Sequence, residues 1–252
     1  MKTYTKDSGD SEKQDTSPKV FQRSKLKGNL SIKHFTFTQK QKQLIDIILD
    51  KHTKMIFIDG PAGTTKTYVS AYCALQLLDQ KRCSDIIYVR SIIESASKSL
   101  GTLPGEFCDK FKPFLLPLED KLSELLPKGD IDLLFKEQRI QPIPINFLRG
   151  ASYNAKVIWS EESQNFSFKE LTTLITRLGE FSKLICVGDR RQSDLNGKSG
   201  FKAMFDLFTG TDSAKEGIHT FEFTKDDVLR SGTLKFILEK LESCDYDRGN
   251  TH

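Results

Sequence analysis

The segment Gly60-Pro61-Ala62-Gly63-Thr64-Thr65-Lys66-Thr67 constrains this chain more than any other. A short apolar run, Met55–Ile58, precedes it and has the character of a buried strand; Lys66–Leu78 follows and reads as a helix. A strand that turns through small residues into a helix opening on Lys-Thr is a phosphate loop. Small residues let successive backbone N–H groups converge on phosphate oxygens, and the helix N-terminus adds partial positive charge at the same point. The eight residues from Gly60 to Thr67 are therefore the expected phosphate-binding set. Lys66 is expected to reach the β- and γ-phosphates and the Thr67 hydroxyl to ligate the metal, so the expected ligands are ATP and Mg²⁺.

One position departs from the G-x-x-x-x-G-K-[ST] pattern: Thr65 stands where the last Gly belongs. That Gly lets the backbone pass close to the phosphates. A β-branched residue held there in an unusual conformation costs ~1–3 kcal/mol. Reduced affinity or turnover is the expectation.

The remaining pattern alternates strands and helices. Gln41–Asp50 carries apolar residues at mostly helical spacing, Ile86–Val89 is a second buried strand, and Val157–Trp159 and Leu184–Val187 are two more, with a helix at Lys169–Leu178 between them. Asp109–Leu126 has helical spacing interrupted by Pro113 and Pro117, which predicts a short helix, a break and a second helix. Such alternation gives an α/β fold, a parallel sheet covered by helices on both faces.

Two strand ends carry chemistry. Val157–Trp159 leads through Ser160 into Glu161-Glu162-Ser163-Gln164-Asn165. Downstream of a phosphate loop, the first acid, Glu161, is expected to hold Mg²⁺ directly or through water, and the second, Glu162, to position and deprotonate the attacking water. Asp is usual at the first position, so the longer Glu161 alters the fit. The pair alone also suits a solvated acidic helix start. Leu184–Val187 leads into Gly188-Asp189-Arg190-Arg191-Gln192, where Asp189 is a further candidate at the nucleotide and Gln192 a candidate sensor of the γ-phosphate or the water. A plain turn at Gly188-Asp189 is the alternative.

Taken in order, these segments resemble the PhoH-like family, whose RecA-like P-loop NTPase core is similar to superfamily 1 helicases. The resemblance covers roughly Phe35 to Leu238. It rests on Thr38–Asp50, the phosphate loop apart from Thr65, and Val89-Arg90 with Glu94 and Leu103-Pro104-Gly105, where Ser91 replaces an expected Pro. It rests also on Lys112-Pro113-Phe114 with Pro117-Leu118 and Asp120, Phe147-Leu148-Arg149-Gly150, the Glu161–Asn165 box, Gly188–Asp194 and Asp227-Val228-Leu229-Arg230. The loosened motifs resemble a phage-borne member. The resemblance implies that Gln41 reads adenine, with Gln39 and Gln43 as rivals. It implies ATP-driven action on RNA or another single-stranded nucleic acid, in which Arg90 and Arg149 line the RNA path or buttress the site. A translocating superfamily 1 helicase pairs two cores, and about 200 residues here supply one. The partner core then comes from another copy in a homo-oligomer, such as a ring. Arg230 is a candidate arginine finger offered across that interface, with a role in its own chain or an ordinary surface position as alternatives.

Composition narrows the classes. Residues 1–34 are polar, with acids first and Lys19, Arg23, Lys25 and Lys27 after them, and are expected to form a disordered tail; residues 35–240 form the ATPase domain, and 241–252 a C-terminal tail. The net charge of +4 permits nucleic-acid binding without requiring it. No apolar run long enough to span a membrane and no secretory signal are visible, and the five cysteines are scattered, so the expectation is a cytoplasmic protein (the host's cytoplasm for a phage) with unpaired thiols and no membrane partner. Two rival functions remain: a nucleotide-dependent binding or oligomerisation module with little turnover, and a small-molecule kinase. The Glu-Ser-Gln-Asn box and the Gly-Asp-x-x-Gln sensor argue against the kinase.

Overall fold

The computed structural model describes residues 28–91, 107–148, 152–192 and 199–228, together with positions 236 and 240; for 107–114 it describes the backbone alone. In chain order the elements are α1 (Gln39–Leu49), β1 (Met55–Asp59), α2 (Lys66–Asp79), β2 (Asp85–Arg90), α3 (Phe107–Leu125), α4 (Lys128–Lys136), β3 (Ile140–Pro144), β4 (Lys156–Ser160), α5 (Phe168–Ile175), β5 (Lys183–Val187), α6 (Phe201–Phe208), α7 (Thr211–Lys215) and β6 (Ile218–Glu222). The strands form one sheet in the order β3-β2-β4-β5-β1-β6, and every pairing is parallel.

The continuous apolar runs follow from burial on both faces. In β1, Ile56 and Ile58 pack into one core while Met55 and Phe57 pack into the other. The same alternation divides Ile86 and Tyr88 from Ile87 and Val89 in β2, and Ile185 and Val187 from Leu184 and Cys186 in β5. The first core is closed by leucines and isoleucines of α1 to α4, the second by α5 and α6. This is the expected RecA-like α/β architecture. Because all strands run the same way, the ends of β1, β4 and β5 open on one edge, where doubly wound sheets bind ligands.

Three expectations about elements change. The break in 109–126 does not occur: α3 runs as one 19-residue helix through Pro113 and Pro117. Each interior proline costs ~3 kcal/mol, but Leu118, Leu122 and Leu125 are fully buried, and burying a leucine contributes ~1.5–3 kcal/mol. The two effects are comparable, and packing against α2 and α4 keeps the helix continuous. Strands β3 and β6 had no counterpart in the sequence reading. Residues 28–34, read as tail, are attached to the core: Leu30 N donates to Asp79, Ser31 N to Asp130 and Lys33 N to the Leu125 carbonyl, at 2.6, 2.7 and 2.9 Å. Among the described residues no helix is long and apolar enough to cross a membrane. Cys73, Cys83 and Cys186 are buried and unpaired.

Candidate nucleotide site

The loop after β1 is shaped by backbone geometry that its sequence only partly anticipates. Gly60 has φ 153°, and a Cβ added there would lie 2.7 Å from Phe223 Cβ, so a side chain is excluded beside the residue that follows β6. Gly63 is also at positive φ, 88°. The Thr64 hydroxyl closes the loop on the Pro61 carbonyl at 2.9 Å. Thr65, at φ 61° and ψ 21°, is left-handed, a conformation that β-branched residues rarely adopt. The strain foreseen at this position is therefore present.

Thr65 is the N-cap of α2, yet its side chain makes no cap hydrogen bond, and the first turn of α2 holds no acid. Neither a cap side chain nor an acid competes for the partial positive charge at this helix start, which is what an anion site requires. Lys66 Nζ donates to the Gly60 carbonyl and, at 2.9 Å, to the Pro61 carbonyl. Burial pushes its pKa down, and the carboxylates of Asp189, Asp59 and Glu162 oppose that shift.

Glu161 follows β4 directly, and its N–H continues the pairing by donating to the Val89 carbonyl at 2.9 Å. The side chain is 5% exposed, and one carboxyl oxygen accepts from the Tyr88 hydroxyl at 2.7 Å. The other oxygen is buried and has no hydrogen-bond partner in the structure. Burial raises the pKa of this carboxyl, while the Tyr88 hydrogen bond, the nearby Thr67 hydroxyl and the charge of Arg90 lower it. An unpartnered carboxylate oxygen beside a threonine hydroxyl is a hard-cation donor set, so these residues fit Mg²⁺.

Glu162 is exposed and also left-handed, at φ 50°. Gln164 links it to the next strand end: its Nε2 donates to Glu162 at 2.6 Å, and its Oε1 accepts from Asp189 N at 3.1 Å. Asp189 accepts from Arg191 N at 3.0 Å; burial raises its pKa, opposed by that hydrogen bond and by the charge of Lys66. Behind it, Arg190 pairs with Asp59 at 2.8 Å and Glu222 at 2.8 Å, fixing the turn to β1 and β6.

These groups meet in one cleft of about 450 Å³. Of the residues expected from sequence, Ala62, Gly63, Thr65, Lys66, Thr67, Glu162, Asp189 and Gln192 line it; Gly60, Pro61 and Thr64 frame the loop, and Glu161 lies buried behind Thr67. Gln41 is buried in α1, its amide bonded at both ends within the chain. Arg149 and Arg230 lie outside the described residues, as do Glu94 and 103–105. Sequence reasoning did not assign Tyr88, Lys121 or Glu124, the last two being a 2.7 Å ion pair of α3 on the cleft wall. Tyr88 is 73 positions from Glu161, and only the β2–β4 register brings them together. Gln164 carried a signal, its place in the acidic box, without a role.

Residues 32–242 match the family described as PhoH-like protein. The chain is 35% identical over 204 residues to the PhoH-like protein of Mycobacterium tuberculosis, covering 80% of this chain and 56% of that protein. It is 33% identical over 202 residues to the PhoH-like protein of Bacillus subtilis, covering 79% and 60%. It is 30% identical over 182 residues to Protein PhoH of Escherichia coli, covering 71% and 50%. The chain thus spans 50–60% of the length of these relatives.

Proposed function

The chain belongs to the PhoH-like family, and from that premise we propose that it is a Mg-ATP-dependent ATPase acting on RNA or another single-stranded nucleic acid in the cytoplasm. The observation that carries the reading is the convergence, at one edge of a parallel sheet, of an acid-free helix start, Lys66, an unpartnered buried Glu161 oxygen, and an exposed Glu162 tied to the sensor turn.

In this reading the loop amides and Lys66 hold the triphosphate. Thr67 and Glu161 hold Mg²⁺, which when bound neutralises charge on the phosphate oxygens. Tyr88 fixes the rotamer of Glu161, which offsets the freedom of a side chain one methylene longer than Asp. Glu162 takes the proton of the attacking water, and Gln164 orients that carboxylate while anchoring Asp189 and the turn that carries Gln192. Gln192 contacts the γ-phosphate or the water. The family's likeness to helicase cores and the one sheet among the described residues support a nucleic-acid partner and a homo-oligomer, ring-shaped or otherwise.

A second reading is favoured by left-handed Thr65: a nucleotide-dependent binding module that binds ATP and turns it over hardly at all. ATP hydrolysis measured with and without single-stranded RNA and DNA, beside a binding titration, separates the two. Turnover that rises with a strand supports the ATPase. Tight binding without turnover under either condition favours the module.

A further inference from the structure

Gln41 is 5% exposed, and its amide has one consistent orientation. The Thr38 N–H can only donate, so the oxygen facing it at 2.9 Å is Gln41 Oε1. That places Nε2 at 2.7 Å from the Thr65 hydroxyl, which donates its own proton to the Thr64 carbonyl at 2.6 Å. The chain of bonds runs from the start of α1 to the one loop residue held in a left-handed conformation against its side-chain preference. Such a conformation persists only where its surroundings over-determine it. A glycine at position 65 has no hydroxyl and could take no part in this arrangement.

We infer that Gln41 is a positioning residue: it holds Thr65, and through Thr65 the phosphate loop, in the binding geometry. The inference rests on the cleft being the nucleotide site. It predicts that losing the Gln41–Thr65 hydrogen bond weakens purine nucleotides of either base equally. It also predicts that the residues act as a unit, because contacting residues are non-additive.

The test is a double-mutant cycle read by fluorescent ATP- and GTP-analogue affinity, with thermal melting of each variant. Gln41→Ala and Thr65→Val should each weaken both nucleotides by about 3- to 10-fold, the size of one hydrogen bond, and the double variant should be no weaker than either single one. Thr65→Ser, which keeps the hydroxyl, should retain affinity. Thr38→Ala removes the threonine side of the α1 cap while leaving the Thr38 N–H to Gln41; it should lower the melting temperature without lowering affinity, separating loop positioning from helix stability. Wild-type and Lys66→Ala protein calibrate the assay. If wild type binds and Lys66→Ala does not, the site reading stands, and additive effects of Gln41→Ala and Thr65→Val then overturn the inference. A loss confined to the ATP analogue overturns it in favour of base recognition by Gln41. Wild-type binding that survives Lys66→Ala unchanged overturns the site reading itself.

Discussion

At the scale of single residues the two left-handed non-glycine positions in the site, Thr65 and Glu162, set the expectations. Thr65 is strained in this structure, at a cost of ~1–3 kcal/mol to the fold. Thr65→Gly relieves that cost but removes a hydrogen bond contributing ~0.5–1.5 kcal/mol. The expected outcome in a melting experiment is a modest gain in stability with no gain in nucleotide affinity; a marked rise in affinity would contradict the role given to Thr65. Glu162→Gln should leave nucleotide binding intact and slow hydrolysis by ~10²–10⁴-fold, since an amide cannot accept the proton of the water. Full turnover in that variant would move the base to Glu161 or elsewhere. Most residues of the cleft were legible because each sits where a strand stops and polar residues begin. Tyr88 was not: its apolar neighbours make it read as core, which by burial it is, while its hydroxyl serves a carboxylate on the next strand.

At the scale of elements, the legible strands were the four interior ones, whose apolar runs reflect burial on both faces. Those missed, β3 and β6, are the sheet edges. β3 carries Pro142 and Pro144, and β6 carries His219, Thr220 and Glu222. An edge strand tolerates proline and polar side chains because one side lacks a hydrogen-bonding neighbour, so its sequence loses the signature of a strand. β5 begins with an unusual residue, Lys183, 7% exposed, with Nζ donating to the carbonyls of Asp50 and Thr53. Burial, then the charge of Arg82, pulls its pKa from an ordinary 10.5 down to about 8, against the opposing effects of Asp50 and Cys73. Between those two values the unfolded chain binds more protons than the folded one, so this residue makes stability rise with pH. Denaturant unfolding from pH 8 to 10.5 should show the stability of wild type relative to Lys183→Met climbing across that window. A pH-independent difference would show that the amine is not depressed.

At the scale of the whole molecule, the described residues hold one six-stranded sheet and one phosphate loop. The sequence made the sheet's class legible because alternation of strand and helix leaves few alternatives. It left the assembly open, because an interface between copies has no periodic signature and Arg230 lies outside the described residues. If Arg230 acts across an interface, Arg230→Ala should lower turnover far more than affinity, by up to ~10³–10⁵-fold, and mixing it with Lys66→Ala protein should recover part of the activity. A mixture that stays inactive, from variants that fold and assemble, would place Arg230 in its own chain or outside the reaction. All of this depends on the cleft holding Mg-ATP through Lys66. The direct measurement is a Mg-ATP titration of wild-type and Lys66→Ala protein. Wild type should bind, and the variant should lose at least roughly 100-fold in affinity, as expected when several charge-assisted hydrogen bonds to phosphate are removed. Equal affinity in the two would contradict the account.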